Sequence, residues 1–207
     1  MRREFHVRFR EGGGVRVPPA TRLIVGFQHE QEARQFLTEL RDRLAAHGLE
    51  LHPDKTRLIE FGARAVSERK RGGRGKPETF DFLGFTHICA KTRRGRYTVL
   101  RKTARKRVRA KLKEIKGVLR FRWHHPVPEV GRWLASVIRG HMNYYAIPRN
   151  FEAVATFRNE VIKLWQHGLS RRSHKAHVTW PRMLRIAEAW LPRVRIVHPY
   201  PSQRLAL

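Results

Sequence analysis

The sequence predicts an α+β protein in which a strand–helix–strand unit and a β-hairpin precede a small helical bundle. Short apolar segments bounded by Gly and Pro occupy the first hundred residues, which is typical of strands and turns. Beyond about residue 101, apolar residues recur at helical spacing. Throughout, Lys and Arg number 45 against 17 Asp and Glu, a net charge of +28. A proposed function has to account for both the α+β fold and the high positive charge.

The N-terminal part divides at about residue 22. Residues 1–22 show no clean period, and their Gly and Pro runs break helices and strands, so we expect an unrelated or disordered arm. Residues 23–62 predict a strand at 23–27, a helix at 31–47 that Gly48 ends in the left-handed conformation, and a strand–turn–strand over 49–61. A unit of this size cannot close a sheet alone, so it has the character of a piece of a larger α/β domain. The inward side of the helix is predicted to carry Phe36, Leu37, Leu40 and Leu44.

A basic linker is predicted at 63–78, because this stretch is rich in Arg, Lys and Gly. Residues 79–100 then predict a β-hairpin, with one strand at 80–88, the other at 96–99 and the tip at 91–95.

The rest of the chain is predicted to be helical. Helices are expected at about 102–118, 128–146, 151–168 and 180–190, with a surface tail over 191–207. Their apolar stripes can be buried only against one another, so residues 101–190 should form a small bundle. The residues predicted to point inward are Val108, Leu112, Ile115, Leu119, Val130, Trp133, Leu134, Val137, Ile138, Tyr145, Val154, Phe157, Val161, Leu164, Trp165, Met183, Ile186 and Trp190.

The composition restricts the environment and the partner. No apolar run reaches the roughly 20 residues that span a bilayer, and residues 1–6 have no apolar core of a signal peptide. Cys89 is the only cysteine, which excludes an internal disulfide and a thiolate zinc cluster. We therefore expect a cytoplasmic protein that binds a polyanion. Nucleic acid is the first choice, an anionic membrane surface the second, and we predict no membrane partner.

The strongest functional indication lies in residues 91–120, where 14 of 30 residues are Lys or Arg and Glu114 is the only acid. An ordinary solvated helix face would carry acidic partners, so phosphate contact is the favoured interpretation. Tyr97 beside the hairpin tip suits RNA, whose bases stack on aromatic rings. The residues predicted to form one phosphate-contacting surface are Lys91, Arg93, Arg94, Arg96, Arg101, Lys102, Arg105, Lys106, Arg109 and Lys113.

Metal and nucleophile chemistry is not indicated. Among the 12 histidines, His124-His125 and the pair His174 and His177 are the candidate ligands, but the sequence offers them no set of three or four ligands with carboxylate or Cys, so neither a structural zinc nor an HNH-type nuclease is expected. The aspartates are Asp42, Asp54 and Asp81, well separated in sequence, whereas two-metal phosphoryl transfer needs converging carboxylates. We predict no catalytic residue, no metal site and no cofactor in this chain.

Several motifs occur in the order found in one family. VGFQH at 25–29 and GLELHPDKT at 48–56 are similar to the palm of bacterial group II intron reverse transcriptases, after the catalytic YADD box and including motif D. FLGF at 82–85 resembles the primer-grip hairpin. RGHMNYY at 139–145 resembles the signature of the maturase-specific domain, called domain X or the thumb. HPYP at 198–201 resembles the end of members without an endonuclease domain.

The resemblance implies a thumb that grips intron RNA or the template–primer RNA–DNA duplex. The complete family enzyme is a Mg²⁺-dependent RNA-directed DNA polymerase that also splices its own intron, a mobile element. Through the thumb signature, the resemblance places Asn143 and Tyr144 among the RNA-binding residues. Through motif D, it relates Lys55 to a lysine near the phosphates of the incoming nucleotide, although a turn lysine in solvent fits the sequence equally well.

The chain departs from the family where the YADD aspartates should precede residues 23–27, because Val17-Pro18-Pro19-Ala20-Thr21-Arg22 stands there. Residues 1–22 therefore have the character of unrelated or out-of-frame sequence joined to a truncated family remnant. Three hypotheses follow. The chain is an RNA-binding remnant without polymerase activity, or the thumb half of a split reverse transcriptase whose fingers and palm come from another chain, or the product of a decayed gene.

Overall fold

A computed structural model describes residues 3–11, 22–53, 56–172 and 177–199. It has the predicted α+β architecture, with helices and strands in two compact units. The first unit contains the described residues up to Phe82 together with His87–Leu100, and the second contains Leu83–Thr86 and the described residues from Arg101 onward.

The first unit contains a four-stranded sheet built around its first strand. Strand β1 pairs antiparallel with β2, β3 and β4, and the register places Phe5 opposite both Val25 and Leu58. The strands are β1 (Arg3–Glu11), β2 (Arg22–Phe27), β3 (Leu49–Leu51) and β4 (Arg57–Leu58).

Strand β1 corrects the prediction that residues 1–22 form an arm without regular structure, which is wrong for Arg3–Glu11. The Gly and Pro runs that suggested an arm begin at Gly12, after the strand. Within the strand, Phe5, Val7 and Phe9 alternate with charged or polar residues, the period of a half-buried strand. β1 also supplies pairing partners to the unit over 23–62, which was expected to lack them. Residues 12–21 lie outside the described part.

Helix α1 (Glu30–Ala45) contacts β1, β2 and β3. Its predicted inward residues are less exposed than their neighbours, and Ala33 is fully buried. The rings of Phe27 and Phe36 lie 5.1 Å apart. After the helix, Gly48 takes a φ of +68°, which confirms the predicted left-handed glycine. The predicted strand over 56–61 is shorter in the structure, because only Arg57–Leu58 pair as β4.

The predicted linker contains a second helix, α2 (Ala63–Arg71), so the linker prediction is wrong over those residues. The stretch has no Gly or Pro, and Ala63, Ala65 and the long charged residues have good helix propensity. Ala65 is buried, and Arg64 and Glu68 form an ion pair of 2.8 Å at the helical i,i+4 spacing. Gly72 and Gly73 end the helix. The high charge concealed an ordinary amphipathic helix.

The hairpin is a three-stranded sheet in the order β5 (Phe80–Phe82), β6 (Phe85–Lys91) and β7 (Tyr97–Thr103). The single strand predicted at 80–88 is interrupted at Leu83 and Gly84, whose φ values are +46° and +79°. Positive φ at both central residues is what a two-residue type I′ turn requires. A leucine rarely adopts this conformation, and for that reason the turn escaped prediction.

The second unit is the predicted bundle. Helix α3 packs against α5, and α4, α5 and α6 contact one another. The first helix starts at Arg105, later than predicted, because β7 continues to Thr103. Beyond α6, the described part of the tail has no helix or strand, as predicted, and its Val197 N–H donates to the Ala146 carbonyl at 2.9 Å. The helices are α3 (Arg105–Phe121), α4 (Val127–Tyr145), α5 (Phe151–Ser170) and α6 (Trp180–Trp190).

The core of the bundle is formed largely by the predicted stripes, although some predicted residues, such as Val108 and Leu112, are only partly buried, and unpredicted ones, such as Ile162 and Leu169, are buried. The largest fully buried side chains include Trp165, Phe157 and Ile115, which meet from α3 and α5. Gly131 on α4 allows close approach of α6, since a Cβ added there would lie 2.8 Å from the Trp190 side chain. This packing fixes which side of α3 is buried and therefore which side is left to solvent.

Candidate nucleic-acid interface

One exposed side of α3 is uniformly cationic. Successive residues of a helix are about 100° apart, so its basic side chains at intervals of three or four fall within one arc of about 100°. All of them are exposed, whereas Ile115 and Leu119, on another side of the helix, are buried. We call this surface the α3 cationic face: Arg105, Lys106, Arg109, Lys113, Lys116 and Arg120.

No carboxylate of the described residues forms an ion pair with the α3 cationic face. The only acid on α3, Glu114, lies on another side of the helix and pairs with Lys111 at 2.7 Å. Elsewhere in the unit, Glu129 bonds to His125 at 2.8 Å and Glu160 to Lys163 at 2.7 Å. The face is therefore a concentration of like charges that lacks local compensation.

Two residues of the sequence prediction precede the helix on β7. Arg101 is half-buried and Lys102 is exposed, and both belong to the same unit as α3. The predicted contacts on α3 itself, Arg105, Lys106, Arg109 and Lys113, are brought together on the cationic face. Sequence reasoning named Lys116 among the basic residues of the helix, but the predicted phosphate-contacting set included neither Lys116 nor Arg120, although their helical spacing extends the face by another turn and more.

The hairpin-tip residues form a second exposed cluster, in the first unit: Lys91, Arg93, Arg94 and Arg96. The tip is held by a hydrogen bond from the Thr92 N–H to the Arg96 carbonyl at 2.7 Å, and Gly95 takes a φ of +75°. Tyr97 is partly exposed beside it. Because this cluster and the α3 cationic face belong to different units, the predicted continuous surface stays a prediction.

The residues at 139–145, called the thumb-like signature, include side chains that are exposed and also make contacts within the second unit. The Tyr144 hydroxyl donates to the Leu83 carbonyl at 2.8 Å, and its ring stacks on Phe85 with centroids 5.8 Å apart. Asn143 is exposed, and its backbone carbonyl lies 2.6 Å from His198 Nε2. Half of the Tyr144 side chain nevertheless remains exposed. These two predicted RNA-binding residues thus have identifiable contacts within the unit.

A cleft of about 470 Å³ lies between α3 and α4 on another side of α3, and sequence reasoning missed it. It is lined by Arg107, Lys111 and Glu114 from α3 and by His141 and Tyr145 from α4, among others. His141 is buried against the Phe157 ring, 3.8 Å between centroids, and its Nε2 has no hydrogen-bond partner among the described residues. Burial, reinforced by the charge of Lys111, lowers the pKa of His141 from 6.5 to about 4. This histidine is therefore neutral at physiological pH.

The described residues considered for chemistry lie on different elements. Asp42 lies exposed on α1 and Asp81 on β5, while Asp54 and Lys55 lie outside the described residues. Within the described part of the chain, no group of three or more His, Cys, Asp or Glu side chains could hold a metal ion. No helix in that part is long and apolar enough to cross a membrane.

Comparison with known proteins adds no assignment. No family model matches the chain, and no curated protein matches it significantly.

Proposed function

We propose that this chain is an RNA-binding protein that grips intron RNA or a template–primer duplex with its helical bundle, in the manner of the thumb of a group II intron reverse transcriptase/maturase. It acts in the cytoplasm and has no polymerase activity of its own. The observation that carries the proposal is the α3 cationic face, a single helix side with six exposed cations and no acidic partner among the residues that the structure describes.

The geometry of the face suits a phosphate backbone. Side chains three or four residues apart on a helix have Cβ atoms about 5–6 Å apart, so Arg105, Arg109 and Lys113 present cations at short, regular intervals. Arg can contact phosphate oxygens in a bidentate manner. A folded surface with this much unneutralised charge repels itself, and a bound polyanion removes that repulsion.

Counterion release gives the proposal a quantitative form. Each phosphate neutralised by a cation contributes about −0.7 to −0.9 to the slope of log affinity against log salt. If all six cations of the face engage, the slope is about −4 to −5, and affinity falls roughly 10³-fold between about 50 and about 200 mM salt.

The test reverses three charges of the face, Arg105→Glu, Arg109→Glu and Lys113→Glu, and measures binding to a structured group II intron RNA over a salt series. We expect the slope to flatten by about 2 to 2.7, the contribution of three contacts. The fold should survive, because these side chains lie off the buried stripe of α3.

A matched control reverses three exposed cations elsewhere in the same unit: Arg132, Arg182 and Arg185. It changes the net charge by the same amount and should leave the slope nearly intact. If both triple variants weaken binding equally, the positive charge of the whole surface attracts RNA non-specifically, and the α3 cationic face is not the RNA site. If the unchanged chain prefers DNA of the same length and secondary structure, RNA is the wrong polymer.

A further inference from the structure

The most exposed large apolar side chain among the described residues lies at the end of the α3 cationic face. Phe121, the last residue of α3, is 87% exposed and follows Arg120 directly. Scattered apolar residues on a surface need no explanation. An aromatic ring beside a row of cations that have no ion pair within the described part of the chain is different, because rings and cations are the two groups that bind single-stranded nucleic acid.

Gly117 leaves open space next to this ring. It lies one helical turn before Phe121, and a Cβ added there would meet no heavy atom within 4 Å. A glycine inside a helix costs about 1 kcal/mol relative to alanine. Its effect here is a gap in the helix surface, on the side where a flat group could approach the ring.

Two cations of the face border the same gap. Lys113 precedes Gly117 by four residues and Arg120 follows it by three, so both are its neighbours on the helix surface. Glu114 is also a neighbour, at three residues, and its carboxylate is engaged by Lys111 at 2.7 Å. Arg120 and Lys116 in addition line a small depression of about 70 Å³, together with His167 and Arg171 at the end of α5.

We propose that this gap, the Phe121 notch, formed by Lys113, Gly117, Arg120 and Phe121, binds an unpaired nucleobase that stacks on the Phe121 ring while Lys113 and Arg120 contact the flanking phosphates. The inference rests on the proposed RNA binding and names the class of RNA. In a continuous duplex each base is covered by its neighbours, so no base face is available to the ring. The notch therefore favours RNA with unpaired nucleotides, such as single strands, loops and bulges.

The experiment compares two probes with the full chain at one salt concentration: an oligouridine of about 12 nucleotides, within the usual site sizes of single-strand binding, and a blunt RNA duplex of equal length. Phe121→Ala should weaken oligouridine binding roughly 5- to 150-fold, the range measured for single base–aromatic stacks, and leave duplex binding unchanged. Phe121→Trp should retain oligouridine binding. Because Phe121 is so exposed, its replacement by Ala should not alter the melting temperature.

Two further variants separate stacking from general effects. Gly117→Leu fills the notch while residue 121 stays Phe, and it should reproduce the selective loss of oligouridine binding. Phe151→Ala removes a different phenylalanine, half-exposed at the start of α5, and should leave the binding of both probes unchanged.

The outcomes are distinct. Equal loss for both probes, no loss for oligouridine, or equal effects of the Phe121 and Phe151 variants would overturn the notch while leaving RNA binding by the α3 cationic face in place. If the unchanged chain binds neither probe, the proposed function fails and the notch with it. The charge-reversal series tests RNA binding by the α3 cationic face, and its result does not depend on the Phe121 notch.

Discussion

Asn150 makes the most connected buried polar contact in the bundle, and its removal should be costly. It is 1% exposed. Its Oδ1 accepts from the Thr103 N–H at 3.0 Å, and its Nδ2 donates to Thr103 Oγ1 and to the Tyr145 carbonyl, both at 2.8 Å. One side chain thereby joins the end of β7 to the junction between α4 and α5.

The magnitude for Asn150→Ala follows from those three bonds. Each contributes about 1 kcal/mol net, and the Thr103 N–H and the Tyr145 carbonyl would be left buried and without this partner. We expect the free energy of unfolding to fall by about 3–5 kcal/mol, a large effect for one substitution. The partner variant Thr103→Val removes one of the bonds and should cost less. The double variant should be less destabilised than the sum of the two single variants, because both remove the same hydrogen bond.

Tryptophan fluorescence is a specific probe of the bundle, because all five tryptophans belong to the second unit: Trp123, Trp133, Trp165, Trp180 and Trp190. Urea unfolding followed by tryptophan fluorescence therefore reports on the bundle. Asn159→Ala is the matched control, an exposed asparagine on α5, and should change stability by less than about 0.5 kcal/mol. If Asn150→Ala costs no more than the control, the hydrogen-bond network does not hold the junction and the argument is refuted.

Two further predictions concern α4. Gly131→Ala should destabilise the bundle by about 1–3 kcal/mol, because the new Cβ would lie 2.8 Å from the Trp190 side chain. Gly140→Ala is the control in the same urea assay. It should be neutral or stabilising, because a Cβ at this position would meet no heavy atom within 4 Å. The second prediction concerns His141, whose pKa in the folded chain is about 4, below the ordinary value of 6.5. As pH falls, the unfolded chain therefore takes up this proton first. The free energy of unfolding should decrease as pH falls from about 6.5 towards 4. His141→Phe should remove that part of the pH dependence, and an unchanged pH profile would contradict the burial of a neutral imidazole.

The helices of the second unit were predictable because their determinants are local. Val154, Phe157, Val161 and Trp165 recur at intervals of three or four, and all are buried in the structure. Helix α6 has the predicted bounds. In such segments the sequence period alone decides which side meets the core, so burial followed from the same inference as the helix itself.

The first unit was less predictable because its structure depends on distant pairing. β1 is recognised as the centre of a sheet only when β2, β3 and β4 are placed beside it. The turn at Leu83 departs from residue preference, and its carbonyl accepts a hydrogen bond from Tyr144, 61 residues later in the chain. A local pattern contains no information about such a partner.

In the candidate site, too, some features follow from the local sequence and others depend on distant contacts. Sequence alone identified the cationic helix, and helix geometry then assigned Arg105, Arg109 and Lys113 to one side. The exposure of Phe121 and the open space at Gly117 depend on what packs nearby, and so does the burial of His141. These features required coordinates.

The basic helix and the thumb-like signature therefore have different weight as indications of RNA binding. In the signature, Tyr144 bonds to the Leu83 carbonyl, and a Cβ on Gly84 would lie 2.7 Å from the Tyr145 hydroxyl oxygen, so that glycine is required by close packing. These residues have packing roles in the fold, whether or not they touch RNA. Loss of RNA binding in a Tyr144 variant would thus be ambiguous between a lost contact and a disturbed fold. The α3 cationic face has no packing role that explains its charge, so the proposed function depends chiefly on that face.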